Sequence, residues 1–346
     1  MTPERPALPL LVETDLAPFR PAGGLAGMMR AMLRQQHATW PMLRSGYEGL
    51  AQVKTRSLRI EGWETRIQWN PGRIVSSSAK VDPKSISERP CFLCTHNLPA
   101  EQRGLAFDDD YLILCNPYPI FPEHFTIPLI RHEPQRMSGA LASMLRLSKA
   151  LGDSFWVFYN GPKCGASAPD HLHFQAGSAD FLPLTGELRR VLTEVGEVLF
   201  DEAGLTVTAV PQGYLRSCFV VESAEAENVR RLVGSLMQAL HTLQPGEEEP
   251  LVNILSLYSG AKWRVCVFPR AKHRPSMFFA DGDDRILLSP AAVDLGGVLI
   301  TPLEHDYLKM TERIVRDMFS EICLAPEQFR VITDTLREPG NPQYSK

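Results

Sequence analysis

Tyr159-Asn-Gly-Pro-Lys-Cys-Gly-Ala-Ser-Ala-Pro-Asp-His-Leu-His-Phe-Gln-Ala-Gly177 holds the densest run of chemistry-bearing residues in the chain. Its end spaces His171, His173 and Gln175 two apart, so in an extended strand all three side chains project from one face, with Leu172 and Phe174 on the other. Such a strand has core behind it and a site in front; an amphipathic surface strand is the alternative. Ahead of it, Gly161, Gly165, Ala166 and Ser167 leave backbone N–H groups unobstructed, and such groups cradle an anionic phosphate. Ser167 adds a hydroxyl and Lys163 a point charge.

Working outward, the aromatic run 155–159 reads as a strand ended by the Asn160-Gly161-Pro162 turn. Upstream, residues 22–53 read as amphipathic helices joined at Pro41. Strands follow at 57–63 and 65–69, with a turn at Asn70-Pro71-Gly72. The polar stretch 76–88 reads as loop. Further strands fall at 111–116 and 124–129, and a helix at 137–151. Downstream, helices are expected at 185–203 and 224–243, and strands at 205–210, 215–222, 251–257, 263–269 and 297–301. Two helices close the chain. Strands and helices interleave without strict βαβ alternation, which makes the class α+β. An echo links the two halves: His124-Phe-Thr-Ile-Pro with Arg131 and His132, and Trp263-Arg-Val-Cys-Val-Phe-Pro-Arg with Lys272 and His273. Both are apolar strands ending in proline, then a basic residue and a histidine, and we read them as an internal duplication.

Composition narrows the function. The 346 residues carry 36 Lys and Arg against 40 Asp and Glu, a formal charge of -4. A protein that wraps a polyanion shows a basic excess instead, so no nucleic-acid partner is expected. No apolar run approaches the roughly 20 residues of a membrane helix, and the N-terminus lacks a signal-peptide core, so no membrane partner is expected. Seven cysteines spread over the chain suit reduced thiols in the cytoplasm.

The quoted stretch resembles the active-site signature of the histidine-triad superfamily. It is nearest the transferase branch with the motif His-x-His-x-Gln, which comprises galactose-1-phosphate uridylyltransferases, diadenosine tetraphosphate phosphorylases and GDP-hexose phosphorylases. His124 to His132 is similar to another strand of that superfamily, and the likeness extends over roughly residues 60–310. It implies two fused histidine-triad-like halves with antiparallel sheets flanked by helices: an N-terminal helical segment (1–55), a first half with the motif (56–205) and a second half with the C-terminal helices (206–346). The implied activity is that of a nucleotidyltransferase or phosphorylase acting on a nucleoside-diphosphate sugar or dinucleoside polyphosphate, with phosphate or a sugar phosphate as acceptor. By motif position His173 is the nucleophile, forming a nucleotidyl-histidine. Ser167 and the amides of Gly165 and Ala166 bind phosphate oxygens, and Asn160 lies near the phosphate or ribose.

Gln175 bears on the reaction. An amide is no general acid at neutral pH, so the leaving group must itself be acidic, as phosphates are. This disfavours a nucleotide hydrolase. One more residue than the family pattern separates Ser167 from His171, which keeps open a non-catalytic nucleotide-binding regulatory protein on the same scaffold. Cys91-Phe-Leu-Cys94 is half of a zinc site, a redox pair or two buried thiols. The resemblance adds His132 and His171 as the remaining ligands of a structural Zn2+. Arg73, beside a turn, contacts the nucleotide or merely decorates a solvated hairpin. Lys262, Arg264, Arg270, Lys272 and Arg274 form a basic cluster that reads equally as a phosphate clamp or a charged strand edge. The resemblance leaves both a homodimer and a monomer open.

Overall fold

Phe155–Asn160, the aromatic run before the motif, is buried along its whole length. Phe155, Val157 and Tyr159 face one hydrophobic core, while Trp156 and Phe158 face another. A strand covered on both sides belongs inside a sheet, and this one lies at the middle of a ten-stranded sheet. The protein is seen here as a computed structural model, which describes residues 8–74, 81–202, 204–211 and 213–337.

Helices α1 (Gly24–Thr39) and α2 (Pro41–Leu50) lead into a hairpin of β1 (Lys54–Ile60) and β2 (Trp63–Trp69). Pro41 starts α2, where its missing N–H costs nothing. The first half then runs β3 (Gly104–Phe107), β4 (Tyr111–Cys115), β5 (His124–Pro128), α3 (Leu141–Leu151), β6 (Phe155–Asn160) and β7 (His173–Ser178). After α4 (Pro183–Glu194) come β8 (Glu197–Glu202), β9 (Leu205–Val210), β10 (Cys218–Ser223), α5 (Ala226–Leu243), β11 (Val252–Ser259) and β12 (Lys262–Pro269). Strand β13 (Val298–Thr301), α6 (Glu312–Ile322) and α7 (Pro326–Arg337) complete the chain.

Across the large sheet the order is β3-β4-β5-β7-β6-β11-β12-β10-β9-β8, with every neighbouring pair antiparallel. Counted from either edge inward, the sequence of strands is the same: three in succession, then the fifth, then the fourth. The helix between the third and fourth strands recurs too, as α3 and α5. The two halves therefore share one topology and meet where β6 pairs with β11, with Asn160 directly opposite Asn253. Helices α1, α3, α5 and α7 cover one face of the sheet. The other face packs on α4, α6 and the small sheet β1-β2-β13, in which β13 runs parallel to β2.

The α+β class and the duplicated architecture thus match the expectation, but the echo that prompted the duplication does not join equivalent strands. It coupled β5 to β12, whereas β5 corresponds in position to β10 and β12 to β7. The expected helix 185–203 stops at Glu194, and Glu197–Glu202 is the edge strand β8. Its Glu and Leu favour helix locally; pairing with β9 overrides them. Strand β3 was not anticipated, being short and dependent on β4. Within the expected loop 76–88, Pro83–Ser87 is a short helix whose cap, Asp82, accepts the Ser85 N–H at 3.0 Å. Residues 76–80 of that stretch lie outside the described residues. Among the described residues three helices rather than two follow β13, the extra one being Glu304–Lys309. Among the described residues no helix is long and apolar enough to cross a membrane.

Because one sheet runs through both halves, they should unfold together. Ile254→Ala, at a fully buried seam position, is expected to cost about 2–4 kcal/mol in one transition. Denaturant titration followed at Trp156 and Trp263 checks this, and separate transitions for the two halves would contradict it.

Candidate active site

Strand β7 opens with His173, whose backbone is held by Gln135: the His173 N–H donates to Gln135 Oε1 at 2.8 Å, and Gln135 Nε2 donates to the carbonyls of His173 and Asn160 at 3.0 and 2.9 Å. Gln135 thereby ties the start of β7 to the end of β6. The His173 ring sits 2.8 Å through Nδ1 from the His171 carbonyl. A carbonyl only accepts, so Nδ1 carries the proton and Nε2 the lone pair. Nε2 has no partner within the chain among the described residues. Burial pushes the His173 pKa down to about 4, so the ring is neutral at pH 7.

Two residues on, Gln175 is oriented by His124 of β5. The buried His124 accepts the Ile120 N–H at Nδ1 (3.2 Å), so its Nε2–H donates to Gln175 Oε1 at 3.0 Å. Burial, with Arg73 nearby, drives His124 down to about 3 and keeps this neutral tautomer. With its oxygen engaged, Gln175 presents its NH2 group, a pure donor.

Asn160 is set in the same manner from across the seam. Arg270, fully buried, donates to Asn253 Oδ1 at 2.7 Å. Asn253 Nδ2 then donates to Asn160 Oδ1 at 2.8 Å and to the Cys164 carbonyl at 2.7 Å. Asn160 Oδ1 also accepts the Ala292 N–H at 2.8 Å. Guanidinium and backbone N–H groups cannot accept, so neither the Asn253 nor the Asn160 amide can be flipped, and the Asn160 NH2 is left over.

The loop after β6 packs tightly against the second half. Gly165 has φ +93°, and a Cβ there would lie 2.5 Å from Ala291 Cβ; a Cβ on Gly161 would lie 2.8 Å from the Val252 carbonyl oxygen. Among the described residues no acceptor takes the N–H groups of Gly165, Ala166 or Ser167. They form an open row of donors suited to an anion. At the loop's far end the His171 N–H bonds to the Ala168 carbonyl and the Gln135 N–H to the Pro169 carbonyl.

One cavity of about 730 Å³ is lined by Arg73, Asn160, Gly165, Ala166, Ser167, His173 and Gln175 among others. Lys163 lies elsewhere: it is exposed, paired with Glu247 at 2.6 Å, and lines a neighbouring hollow. His171 is also apart. It precedes β7 and turns toward the cysteines, so only two of the three polar residues share the strand face. Sequence reasoning gave no role to Gln135 or Asn253, read His124 only as the start of a strand, and placed Arg270 in a basic cluster, as a phosphate clamp or a charged strand edge, rather than as a buried hub. The positioning each performs is made across the fold, and no local motif expresses it.

Cys91, Cys94, His132 and His171 place their donor atoms within 4.8 Å of one another. His171 Nδ1 is 3.2 Å from Cys91 Sγ and 3.6 Å from Cys94 Sγ, and His132 Nδ1 is 3.2 Å from Cys94 Sγ. A tetrahedral ion with ordinary Zn–S and Zn–N bonds separates such atoms by about 3.6 Å, so the set fits zinc. His171 Nε2 donates to the Leu129 carbonyl at 2.6 Å, leaving Nδ1 as the ligand atom. Burial and neighbouring Cys91 push the Cys94 thiol up to about 11, so a thiolate here needs a cation beside it.

Residues 32–178 match the model of a domain of unknown function (DUF4922), and residues 192–339 match the GDPGP1-like, C-terminal domain. No curated protein sequence matches the chain. Among solved structures, yeast Ap4A phosphorylase Apa2 in complex with AMP is similar at a TM-score of 0.57 and 17% identity, covering 91% of this chain and 98% of that one. Its complex with Ap4A gives 0.56 and 17%, covering 86% and 97%. The chain shares the fold of these structures, in keeping with the duplicated architecture that the motif implied.

Two outcomes test the site. Asn253→Asp keeps the size but removes the donor toward Asn160; nucleotide turnover is expected to fall about tenfold or more, with little further loss when Asn160→Ala is added. Additive losses in that double-mutant cycle would separate the two residues. Metal analysis of freshly purified protein is expected to find about one zinc per chain, with Cys91→Ser lowering both metal content and melting temperature.

Proposed function

We propose that the protein is a nucleotidyltransferase of the phosphorylase type, acting through a nucleotidyl-His173 intermediate. His173 carries this role because its Nδ1–H is committed to the His171 carbonyl, which leaves a neutral Nε2 lone pair on a residue bordering a cavity of nucleotide size. Nε2 attacks the α-phosphorus of a nucleoside-diphosphate sugar or a dinucleoside polyphosphate. The P–N bond forms as the P–O bond to the leaving group breaks, and the bonding pair departs on the leaving oxygen.

The open N–H groups of Gly165, Ala166 and Ser167, with the NH2 groups of Asn160 and Gln175, meet charge on the non-bridging oxygens in the transition state. Gln175 cannot protonate the leaving oxygen. The leaving group is therefore one that departs as an anion, such as a hexose phosphate or a nucleotide. Phosphate or a sugar phosphate then takes the nucleotidyl group and restores neutral His173. Arg73, on the cavity wall, adds positive potential.

Cys91, Cys94, His132 and His171 would hold a zinc ion, which would tie down the His171 backbone and with it the carbonyl that sets the His173 tautomer. Four protein ligands make that role structural. All seven cysteines are free and buried, which accords with a cytoplasmic setting. The acceptor phosphate and any homodimer belong to this proposal as well.

The test is a panel of nucleoside-diphosphate hexoses and dinucleoside polyphosphates, with and without orthophosphate, read by intact mass and product release. A nucleotidyl adduct on the parent, absent in folded His173→Gly, is the expected result. Nucleotide binding without adduct or turnover would favour a binding protein, and rapid turnover in water without phosphate a hydrolase.

A further inference from the structure

The basic cluster of the second half separates into different tasks once folded. Lys262 and Arg264 both pair with Glu222, at 2.8 and 2.7 Å, and Lys272 pairs with Glu321 at 2.7 Å. Arg270 is the buried hub described above. Arg274 alone of the five reaches the cavity wall.

Three guanidinium groups line that cavity: Arg73, Arg89 and Arg274. Arg89 is neutralised by Asp170 at 3.2 Å. Arg73 bonds the Tyr118 carbonyl at 2.8 Å and lies in the field of buried Asp294. Arg274 has no carboxylate partner among the described residues. Its Nε donates to Ser289 Oγ at 3.0 Å, and its guanidinium sits 4.1 Å from the centre of the Phe278 ring. Its terminal N–H groups are thus held in place without a counter-charge.

The surrounding loop is rigidly built. Arg270 donates to the carbonyls of Lys272, His273 and Pro290 at 3.1, 3.0 and 3.0 Å, pinning both segments that flank Arg274 and Ser289. Burial pushes His273 down to about 4, and Arg274, Arg270 and Lys163 all push the same way, the sign of a locally positive region. Arg274 and His273 also border the neighbouring hollow of about 550 Å³ that Lys163 lines, so the same wall is approached from two sides.

We infer that Arg274, seated by Ser289 and Phe278, forms a phosphate subsite contributed by the second half, which holds the acceptor phosphate and, by microscopic reversibility, the phosphate of the departing group. The inference rests on the proposed phosphorylase chemistry. In the second step a phosphate oxygen attacks the phosphorus of nucleotidyl-His173. The new P–O bond forms as the P–N bond breaks, its electron pair returns to Nε2, and any proton on the attacking phosphate passes to solvent. Arg274 lets phosphate compete with water for the intermediate by holding it beside the adduct.

The experiment uses the full-length protein loaded on His173 with the donor found in the panel, then chased with increasing inorganic phosphate. Arg274→Gln is expected to raise the half-saturating phosphate concentration about tenfold or more, with partial recovery in Arg274→Lys. An unchanged phosphate dependence overturns the inference. So does a loss that falls equally on loading from a nucleoside 5′-(4-nitrophenyl) phosphate, whose leaving group bears no phosphate. Thermal shift with inorganic phosphate on the unloaded protein separates the two proposals. Phosphate stabilisation of the parent that is lost in Arg274→Gln keeps the subsite even if no adduct ever forms; equal stabilisation of both proteins removes it.

Discussion

The pairing of β6 with β11 is the constraint on which the site depends. It makes one sheet of two five-stranded units and places Asn160 opposite Asn253. At that register a guanidinium from the end of β12 can dictate, through two amides, which atom of Asn160 is left for a ligand. A slip of one residue would turn Asn253 to the opposite face of the sheet and break the relay. The same seam brings the Val252 carbonyl against Gly161 and Ala291 against Gly165, which explains the small residues of the loop better than local flexibility does.

A common logic runs through the polar groups. Each functional side chain has one end committed to a partner of fixed hydrogen-bonding character, and the other end is thereby defined. The His171 carbonyl sets His173, the Ile120 N–H sets His124 and through it Gln175, and Arg270 sets Asn253 and then Asn160. Such preorganisation costs little at the moment of reaction because the dipoles already point the right way. Burial serves the same end by keeping both His173 and His124 neutral.

The two halves divide the labour. The first supplies His173, Gln175 and the loop of open N–H groups, along with the Cys and His cluster. In the second half, the positions equivalent to the motif strand are Lys-Trp-Arg-Val-Cys-Val-Phe-Pro in β12, which hold none of that chemistry. What this half contributes instead is the Arg270 hub and a cationic wall.

From the sequence alone, the α+β class, the spacing of His173 and Gln175, the glycine-rich loop before them and the Cys-x-x-Cys pair were legible. All are local: they depend on strand periodicity, turn residues and short motifs, which neighbouring residues express without help. The nature of the duplication was less so, because strand equivalence is set by position in the sheet, and the echo chosen joined the wrong strands. Strand β8 and the short β3 escaped detection because each is an edge strand formed by pairing with the strand that follows it, against or without a strong local preference. Only the tertiary structure decided which ring nitrogen of His173 is free, which way the Asn160 and Gln175 amides face, and which of five basic residues meets the cavity. The Asn160 and Gln175 amides answer to partners dozens of residues away, and no local pattern encodes a contact made across a sheet. The His171 carbonyl is only two residues from His173, but it meets the ring only because the fold turns the chain that way before β7.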